Sequence, residues 1–124
     1  MDTVGEVMSR DVVCVQETTT LGSVARSLRA AVASVALVLD GFGDVVGIVT
    51  ERELVDAVAA SRHPDIGTAQ SWMRRDFVVI PSTSSLADAE SMMRAGEFRE
   101  LPVMDAGTLV GIVSSSDVMP RLEV

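Results

Sequence analysis

Apolar runs and amphipathic stretches alternate along the first half of the chain and predict a short mixed α/β unit. Residues of one helical face recur at three- and four-residue spacing, whereas the continuous apolar runs on either side of a Gly-rich turn are typical of buried strands. The predicted order is strand, helix, hairpin and helix, over Val12–Val15, Leu21–Ala31, Val35–Leu39 with Val45–Val49, and Glu51–Ala60.

The second half of the chain shows the same alternation. A strand, a helix, two strands and a closing helix are predicted over Phe77–Ile80, Ser85–Ala95, Leu101–Met104, Leu109–Val113 and from Ser115 onward. Pro120 is expected to cut the last helix short, because proline lacks the N–H that an interior helical position requires.

The two halves are copies of one unit. Gly47–Glu53 reads Gly-Ile-Val-Thr-Glu-Arg-Glu and returns at 111–117 as Gly-Ile-Val-Ser-Ser-Ser-Asp. A shift of 65 residues aligns the copies up to the hairpin turn, as in Met8 with Met73, and a shift of 64 aligns them after it. The repeat predicts a first unit at 1–62, a linker at 63–68 and a second unit at 69–124.

Charge limits the class of partner. The net charge is −8, and all ten cationic residues are arginine. Nucleic-acid polymers require a basic stripe that neutralises many phosphates, so DNA or RNA is not expected as a partner. A mononucleotide stays possible, because one or two arginines can bind a single phosphate group through their planar fork.

Membrane and metal chemistry are not expected. The chain has no uncharged apolar stretch of 18 residues and no signal-peptide pattern at its start, which predicts a cytoplasmic protein without a membrane partner. Cys14, the only cysteine, lies in an apolar run and is expected to fill the core. His63, the only histidine, lies in the predicted linker, so neither a catalytic triad nor a histidine metal site is expected.

The strand-to-helix junction in each copy is the strongest candidate for chemistry. A helix N-terminus offers unpaired N–H groups that favour an anion, and Ser114 adds a hydroxyl donor. Asp117, one turn into the helix, can accept two hydrogen bonds from a vicinal diol such as ribose. The alternative is a capping box, in which a Ser or Thr and an acid three residues later satisfy helix N–H groups, and Thr50 with Glu53 fits that box well.

The chain resembles a tandem pair of cystathionine beta-synthase (CBS) domains, called a Bateman module. Both junction motifs carry the resemblance, together with the openings Val7-Met8-Ser9 and Trp72-Met73-Arg74 and the segment Arg99–Val103, and it extends from about Val4 to Pro120. It implies an α+β fold of two β-α-β-β-α units packed sheet to sheet around a pseudo-twofold axis, with two clefts between them. It also implies binding of AMP, ADP, ATP or S-adenosylmethionine, with no cofactor required.

The resemblance also implies roles for individual residues. Asp117 would hold the ribose and Ser114 would contact phosphate. The rest of the expected ligand set is Ile112 beside the base, Arg99 near phosphate, Ser9, the backbone around Cys14, Ala33 and Ser34. Arg99 has a surface ion pair as its alternative role. Thr50, Glu53 and Ile48 would line a second, weaker cleft, because Glu53 replaces the usual aspartate; one functional site per chain is expected.

Two functions follow as hypotheses. The first is a regulatory module that senses an adenosine-containing molecule and acts on a regulated protein partner that the sequence does not identify. The second is a structural module that mediates dimerisation without a ligand, through apolar helix residues such as Leu54, Val55, Val58 and Ala59. Both predict a homodimer. Catalysis is not expected, because no nucleophile with a matching base is apparent in the sequence.

Overall fold

The computed structural model describes residues 2–61 and 66–122, and within them the chain alternates helices and strands as an α+β protein. The first half contains α1 (Val4–Val7), β1 (Val13–Gln16), α2 (Leu21–Ala31), β2 (Val35–Leu39), β3 (Val45–Thr50) and α3 (Glu51–Ala60). The second half contains α4 (Ala69–Trp72), α5 (Leu86–Gly96), β4 (Glu100–Asp105), β5 (Thr108–Ser114) and α6 (Ser115–Leu122). None of these helices is long and apolar enough to cross a membrane.

The predicted fold class is confirmed, and two predicted details are wrong. The segment 77–80 forms no strand; Ile80 makes one parallel bridge to Val103. Pro120 does not end α6, which continues to Leu122. The missing N–H of Pro120 removes the bond to the carbonyl of Ser116, and only two further helical residues depend on the turn it disturbs. The short helices α1 and α4 were not predicted, because four residues carry no helical period.

The chain divides into two compact units whose bounds differ from those of the sequence repeats. One unit is Val13–Asp76, called here the first-repeat unit, and the other combines Met1–Val12 with Phe77–Val124 and is called the second-repeat unit. The opening segment of each repeat therefore belongs to the compact unit of the other, unlike the predicted units 1–62 and 69–124. Residues 62–65, which include the first half of the predicted linker with His63, lie outside the described part of the chain.

The first-repeat unit is built on a three-stranded sheet in the order β1-β2-β3, with β1 parallel and β3 antiparallel to β2. Apolar side chains of α2, the strands and α4 form its core, including Leu21, Val24, Val38 and Val49. The expectation that Cys14 fills this core is wrong. Cys14 is exposed on β1, because the strand alternates and turns Val15 inward instead; partial burial of the thiol still raises the pKa of Cys14.

The second-repeat unit has a two-stranded antiparallel sheet, β4-β5. Its core includes Leu101, Val103 and Val113 from the strands, side chains of α5 and α6, and Val4 from α1. Val4 enters this core because backbone hydrogen bonds hold the opening segment against the unit, such as Val4 N–H to the carbonyl of Ser84 at 2.9 Å.

Asp105 ties the end of β4 to the loop before α5. Its Oδ2 accepts the hydroxyl of Ser82 at 2.6 Å, and its Oδ1 accepts the N–H of Ser82 at 2.9 Å. These hydrogen bonds, the hydroxyl first and then the amide, hold the pKa of the Asp105 carboxyl below its ordinary value of 3.8. The folded protein therefore favours the charged form of Asp105 more than the unfolded chain does.

We predict that Asp105→Asn is less stable than the wild type near neutral pH and that this difference shrinks in acid. A lowered folded-state pKa gives stability that is complete well above the unfolded pKa and is lost as the pH falls below about 4. Urea unfolding of both proteins at about pH 7, 5 and 3 measures the difference. Asp11→Asn is the control, because Asp11 is exposed and has, among the described residues, no pair of hydrogen bonds like those from Ser82 to Asp105. An Asp105→Asn deficit of equal size at all pH values would contradict the prediction.

Val32 ends α2 in the left-handed conformation, with φ 53°. This conformation is strained for a β-branched residue, and the side chain is 93% exposed, so no burial offsets the strain. Glu97 ends α5 in the same way, with φ 58°. The left-handed residue at the end of the helix is thus common to both repeats, whereas only the first repeat has a valine at this position.

We predict that Val32→Gly raises the free energy of unfolding by about 0.5–1 kcal/mol. The substitution relieves left-handed backbone strain of roughly 1–2 kcal/mol. The greater conformational entropy of glycine in the unfolded chain opposes this gain by about 0.5–1 kcal/mol. Chemical denaturation measures the change. Val55→Gly, at an exposed valine inside α3, is the matched control and should destabilise by about 0.3–0.5 kcal/mol, the difference in helix propensity between valine and glycine. A destabilised Val32→Gly would show that the strain is not present.

Candidate ligand-binding site

The junction between β5 and α6 places a serine and an aspartate in direct contact. Asp117 Oδ2 accepts hydrogen bonds from both the backbone N–H and the hydroxyl of Ser114, each at 2.9 Å. The Ser114 hydroxyl also lies 2.7 Å from the hydroxyl of Ser116. One half of the capping box is therefore present, in which the acid three residues later accepts the N–H of Ser114. It uses one carboxylate oxygen, and Asp117 Oδ1 accepts no hydrogen bond from the described residues, so the cap leaves an acceptor open.

The junction between β3 and α3 has the same design with a longer acid. Glu53 Oε1 accepts the N–H and the hydroxyl of Thr50, both at 2.7 Å, which completes the capping box. Glu53 is only 6% exposed and is the one buried charged residue in the described part of the chain. Its carboxylate is therefore less accessible than that of Asp117, in line with ranking this junction second.

The motif glycine lets the opening segment of the other repeat approach each junction. Ser9 and Ile112 exchange backbone hydrogen bonds of 2.8 and 2.9 Å. A Cβ on Gly111 would lie 2.7 Å from the Ser9 carbonyl oxygen and 2.7 Å from Met8 Sδ. Real Cβ contacts are not this short, so only glycine fits here without movement of the Ser9 backbone.

Arg99 lies beside the same junction. Its carbonyl accepts the N–H of Ser115 at 2.8 Å, which ties Arg99 to the first residue of α6. The side chain is exposed and makes no ion pair with an acid in the described ranges. The alternative role of Arg99 as a partner in a surface ion pair is therefore not found in this part of the chain.

Arg74 was missed by the sequence interpretation, although it contacts the second junction. It exchanges backbone hydrogen bonds of 2.8 and 3.0 Å with Ile48, as Ser9 does with Ile112. Its guanidinium makes two contacts of 3.3 Å with Asp76, and this hydrogen bonding lowers the pKa of the Asp76 carboxyl. The 65-residue shift that pairs Ser9 with Arg74 was the signal available in the sequence.

The predicted ligand residues fall into two groups. The second-repeat unit holds five of them together: Ser9, Arg99, Ile112, Ser114 and Asp117. The first-repeat unit holds Cys14, Ala33 and Ser34 with the predicted weaker set of Thr50, Glu53 and Ile48. Ala33 and Ser34 follow α2, and Ile48 is buried in β3. Their roles in binding stay predictions.

Residues 2–61 and 66–122 contain no cluster of three or more histidine, cysteine or acidic side chains suited to a metal ion.

Comparison with known proteins supports the repeat and the fold. The CBS domain family matches twice, at residues 4–60 and 68–123. Hypoxic response protein 1 of Mycobacterium tuberculosis is 30% identical over 98% of this chain and 86% of its own length. An uncharacterized protein of Methanopyrus kandleri is also 30% identical, over 94% of this chain. The matched region spans 60% of the length of that protein.

Solved structures share the whole fold. The CBS domain pair of protein MJ0100, in complex with 5′-methylthioadenosine and S-adenosyl-L-methionine, superposes with a TM-score of 0.88 at 20% identity, covering 99% of this chain and 97% of that one. CBSX2 in complex with AMP superposes with a TM-score of 0.82 at 22% identity, covering 99% and 97%. With both halves matched by the family and the fold shared end to end, the chain belongs to the CBS domain family and carries two CBS domains in tandem.

Proposed function

We propose that the chain is a regulatory module that binds an adenosine-containing small molecule, such as AMP, ADP, ATP or S-adenosylmethionine, through the Ser114–Asp117 junction. The observation that carries the proposal is the open Asp117 Oδ1 beside a helix N-terminus. The carboxylate is held in place by Ser114, so it can accept ribose hydroxyls without reorganising. CBS-domain proteins of the same fold are known in complex with AMP and with S-adenosylmethionine, which supports this ligand class.

Phosphate recognition is the second part of the proposal. The first turn of α6 presents the positive end of the helix dipole, which favours an anion. Arg99, bonded through its carbonyl to Ser115, supplies a cation without a described acidic partner. Ligands with a phosphate should therefore gain affinity over the nucleoside. This gain should weaken with added salt, because Arg99 is exposed.

A binding event becomes regulation only through a partner. A ligand shifts an equilibrium by its difference in affinity for two states, so a second surface must distinguish ligand-bound from ligand-free protein. We propose a regulated protein as that partner, with this chain acting without catalysis of its own. Recovery of bound nucleotide in chemically altered form would contradict the non-catalytic role.

Thermal unfolding with and without AMP, ADP, ATP and S-adenosylmethionine tests the proposal. Ligand at 100 times its dissociation constant adds about 2.7 kcal/mol to the stability of the folded state and raises the midpoint by several degrees. Adenosine and GMP are the matched controls for the phosphate and the base. No shift with any of the four ligands would remove the sensing function.

Dimerisation without a ligand is the second candidate, and the surface of α3 favours it. Val55 and Val58 are exposed on this helix, where single-chain folding leaves them in contact with water. A homodimer would bury them. Sedimentation of the protein at micromolar concentrations tests this, and a monomer throughout would contradict the homodimer in either function. Ligand titration separates the two candidates, since only the first requires binding.

A further inference from the structure

A cavity of about 520 Å³ opens between α2 and α3, wholly within the first-repeat unit. Its walls are mainly apolar and include Leu28, Ala33 and Leu54, while Arg29 and Glu51 supply charges at its edge. This volume and this mixture of apolar wall and few polar groups are typical of small-molecule sites. It does not include the Ser114–Asp117 junction.

The second repeat has a buried aromatic side chain at the position where the first repeat has an alanine in the cavity wall. The 65-residue shift pairs Ala33 with Phe98, whose ring is buried in the core of the second-repeat unit. The ring lies so close over Gly96 that a Cβ there would overlap it. The first repeat has alanine in place of the phenylalanine, and also Ala31 in place of Gly96. The first repeat therefore supplies no aromatic ring at this position, and Ala33 lines the cavity instead.

The second repeat also pairs an arginine whose counterpart in the first repeat has no ion pair with the described residues. In α5, Arg94 Nη1 lies 2.6 Å from Glu90 Oε1. The same shift pairs Glu90 with Ala25 and Arg94 with Arg29. Ala25 cannot form this ion pair, and Arg29 has no ion pair or side-chain hydrogen bond with the described residues. Arg29 therefore lacks the intrahelical ion pair of Arg94, although the acidic residue Glu51 also lines the cavity.

The strained valine described above lines the same cavity. Val32 adds an exposed apolar surface beside the apolar wall, in a backbone conformation that disfavours valine. Strain of this kind is retained more often at binding sites than elsewhere. The corresponding residue of the second repeat is Glu97, so the apolar character is again confined to the repeat with the open cavity.

We infer that this cavity binds a small amphipathic carboxylate, with an aromatic or branched aliphatic body in the space over Ala33 and the carboxylate on Arg29. Such a ligand supplies both groups that the second repeat has and the first lacks. The cavity includes Ala33 and Ser34, which the resemblance assigns to an adenosine ligand, but the inference assigns them a different ligand and does not require binding at the Ser114–Asp117 junction.

Titration with 3-phenylpropionate, followed by backbone amide shifts, tests the inference. Saturable shifts centred on α2 and α3 are expected. The neutral analogue 3-phenylpropanol keeps the ring and loses the charge, so it should bind about tenfold or more weakly, the factor for a charge-assisted hydrogen bond. Equal binding of the two compounds, or no saturation at millimolar concentrations, would overturn the assignment.

Two variants copy the second repeat into the first. Ala25→Glu gives Arg29 an acid at the spacing of Glu90 and Arg94, and should weaken the binding of 3-phenylpropionate about tenfold. Ser27→Glu on the same helix is the matched control and should leave the affinity unchanged. The double variant Ala31→Gly with Ala33→Phe should fill the cavity and abolish binding. Circular dichroism confirms that each variant is folded. Unchanged affinity in folded Ala25→Glu, or in the folded double variant, would refute the inference.

Discussion

Replacing Leu101 with alanine is expected to lower the free energy of unfolding of the second-repeat unit by about 2–5 kcal/mol. Leu101 is 0% exposed and lies in the centre of the core cluster, on β4 opposite Val113. The substitution removes the transfer free energy of the deleted carbons and leaves a cavity that the neighbouring strands cannot fully close. A loss of this size is a large share of the total stability of a small domain.

Urea unfolding with a shared slope measures this loss. Leu122→Ala, at a leucine that is 41% exposed in α6 of the same unit, is the matched control and should change stability by less than about 1 kcal/mol. If Leu101→Ala were as mild as the control, the position would not be closely packed. A change in slope would indicate that the unit no longer unfolds as before.

Replacing Asp117 with alanine is expected to weaken adenosine-ligand binding by about 1.5–3 kcal/mol, or roughly 10- to 150-fold. The open oxygen Oδ1 would accept the ribose hydroxyls, and the substitution removes it. The same change removes the acceptor of the Ser114 hydrogen bonds at the start of α6 and should lower the free energy of unfolding by about 0.5–2 kcal/mol. Calorimetric titration measures affinity, and the titration is carried out well below the unfolding midpoint so that both effects can be read separately.

Two further variants separate the ligand role from the cap. Asp117→Asn keeps a capping oxygen and loses the charge, so it should retain most of the stability and still lose affinity. Glu53→Ala removes the equivalent cap of the first repeat and should leave affinity within about threefold, since its carboxylate is buried and one site per chain is expected. Unchanged affinity in Asp117→Ala, in a protein that binds the ligand, would place the site elsewhere.

Much of the fold could be predicted because local patterns report on local structure. The amphipathic period of α2 and the apolar run of β2 gave the observed bounds, Leu21–Ala31 and Val35–Leu39. The duplicated junction motif also identified both capped carboxylates. These features depend on residues a few positions apart, which is the range over which helical and strand periods act.

Apart from the end of α6 and the short helices α1 and α4, the errors concern partners distant in sequence. Phe77–Ile80 has the composition of a strand and makes a single bridge, and Cys14 lies in an apolar run yet faces outward on β1. Neither outcome can be read from composition, because strand pairing and the orientation of a strand's side chains depend on which neighbouring strand the folded chain places beside it. The contact of Arg74 with Ile48 also joins residues 26 positions apart, and only the 65-residue shift that pairs Arg74 with Ser9 pointed to it.

The sequence by itself determined that this is an α+β protein of two repeated units with a capped acid after each Gly-Ile-Val motif. Only the tertiary structure decided that the opening segment of each repeat belongs to the compact unit of the other, that Asp117 keeps an open oxygen, and that the first repeat leaves a cavity beside Arg29. The physical reason is that local propensities and apolar periods select the elements, whereas exposure, contact and unsatisfied hydrogen-bonding capacity depend on which distant residues the folded chain brings together.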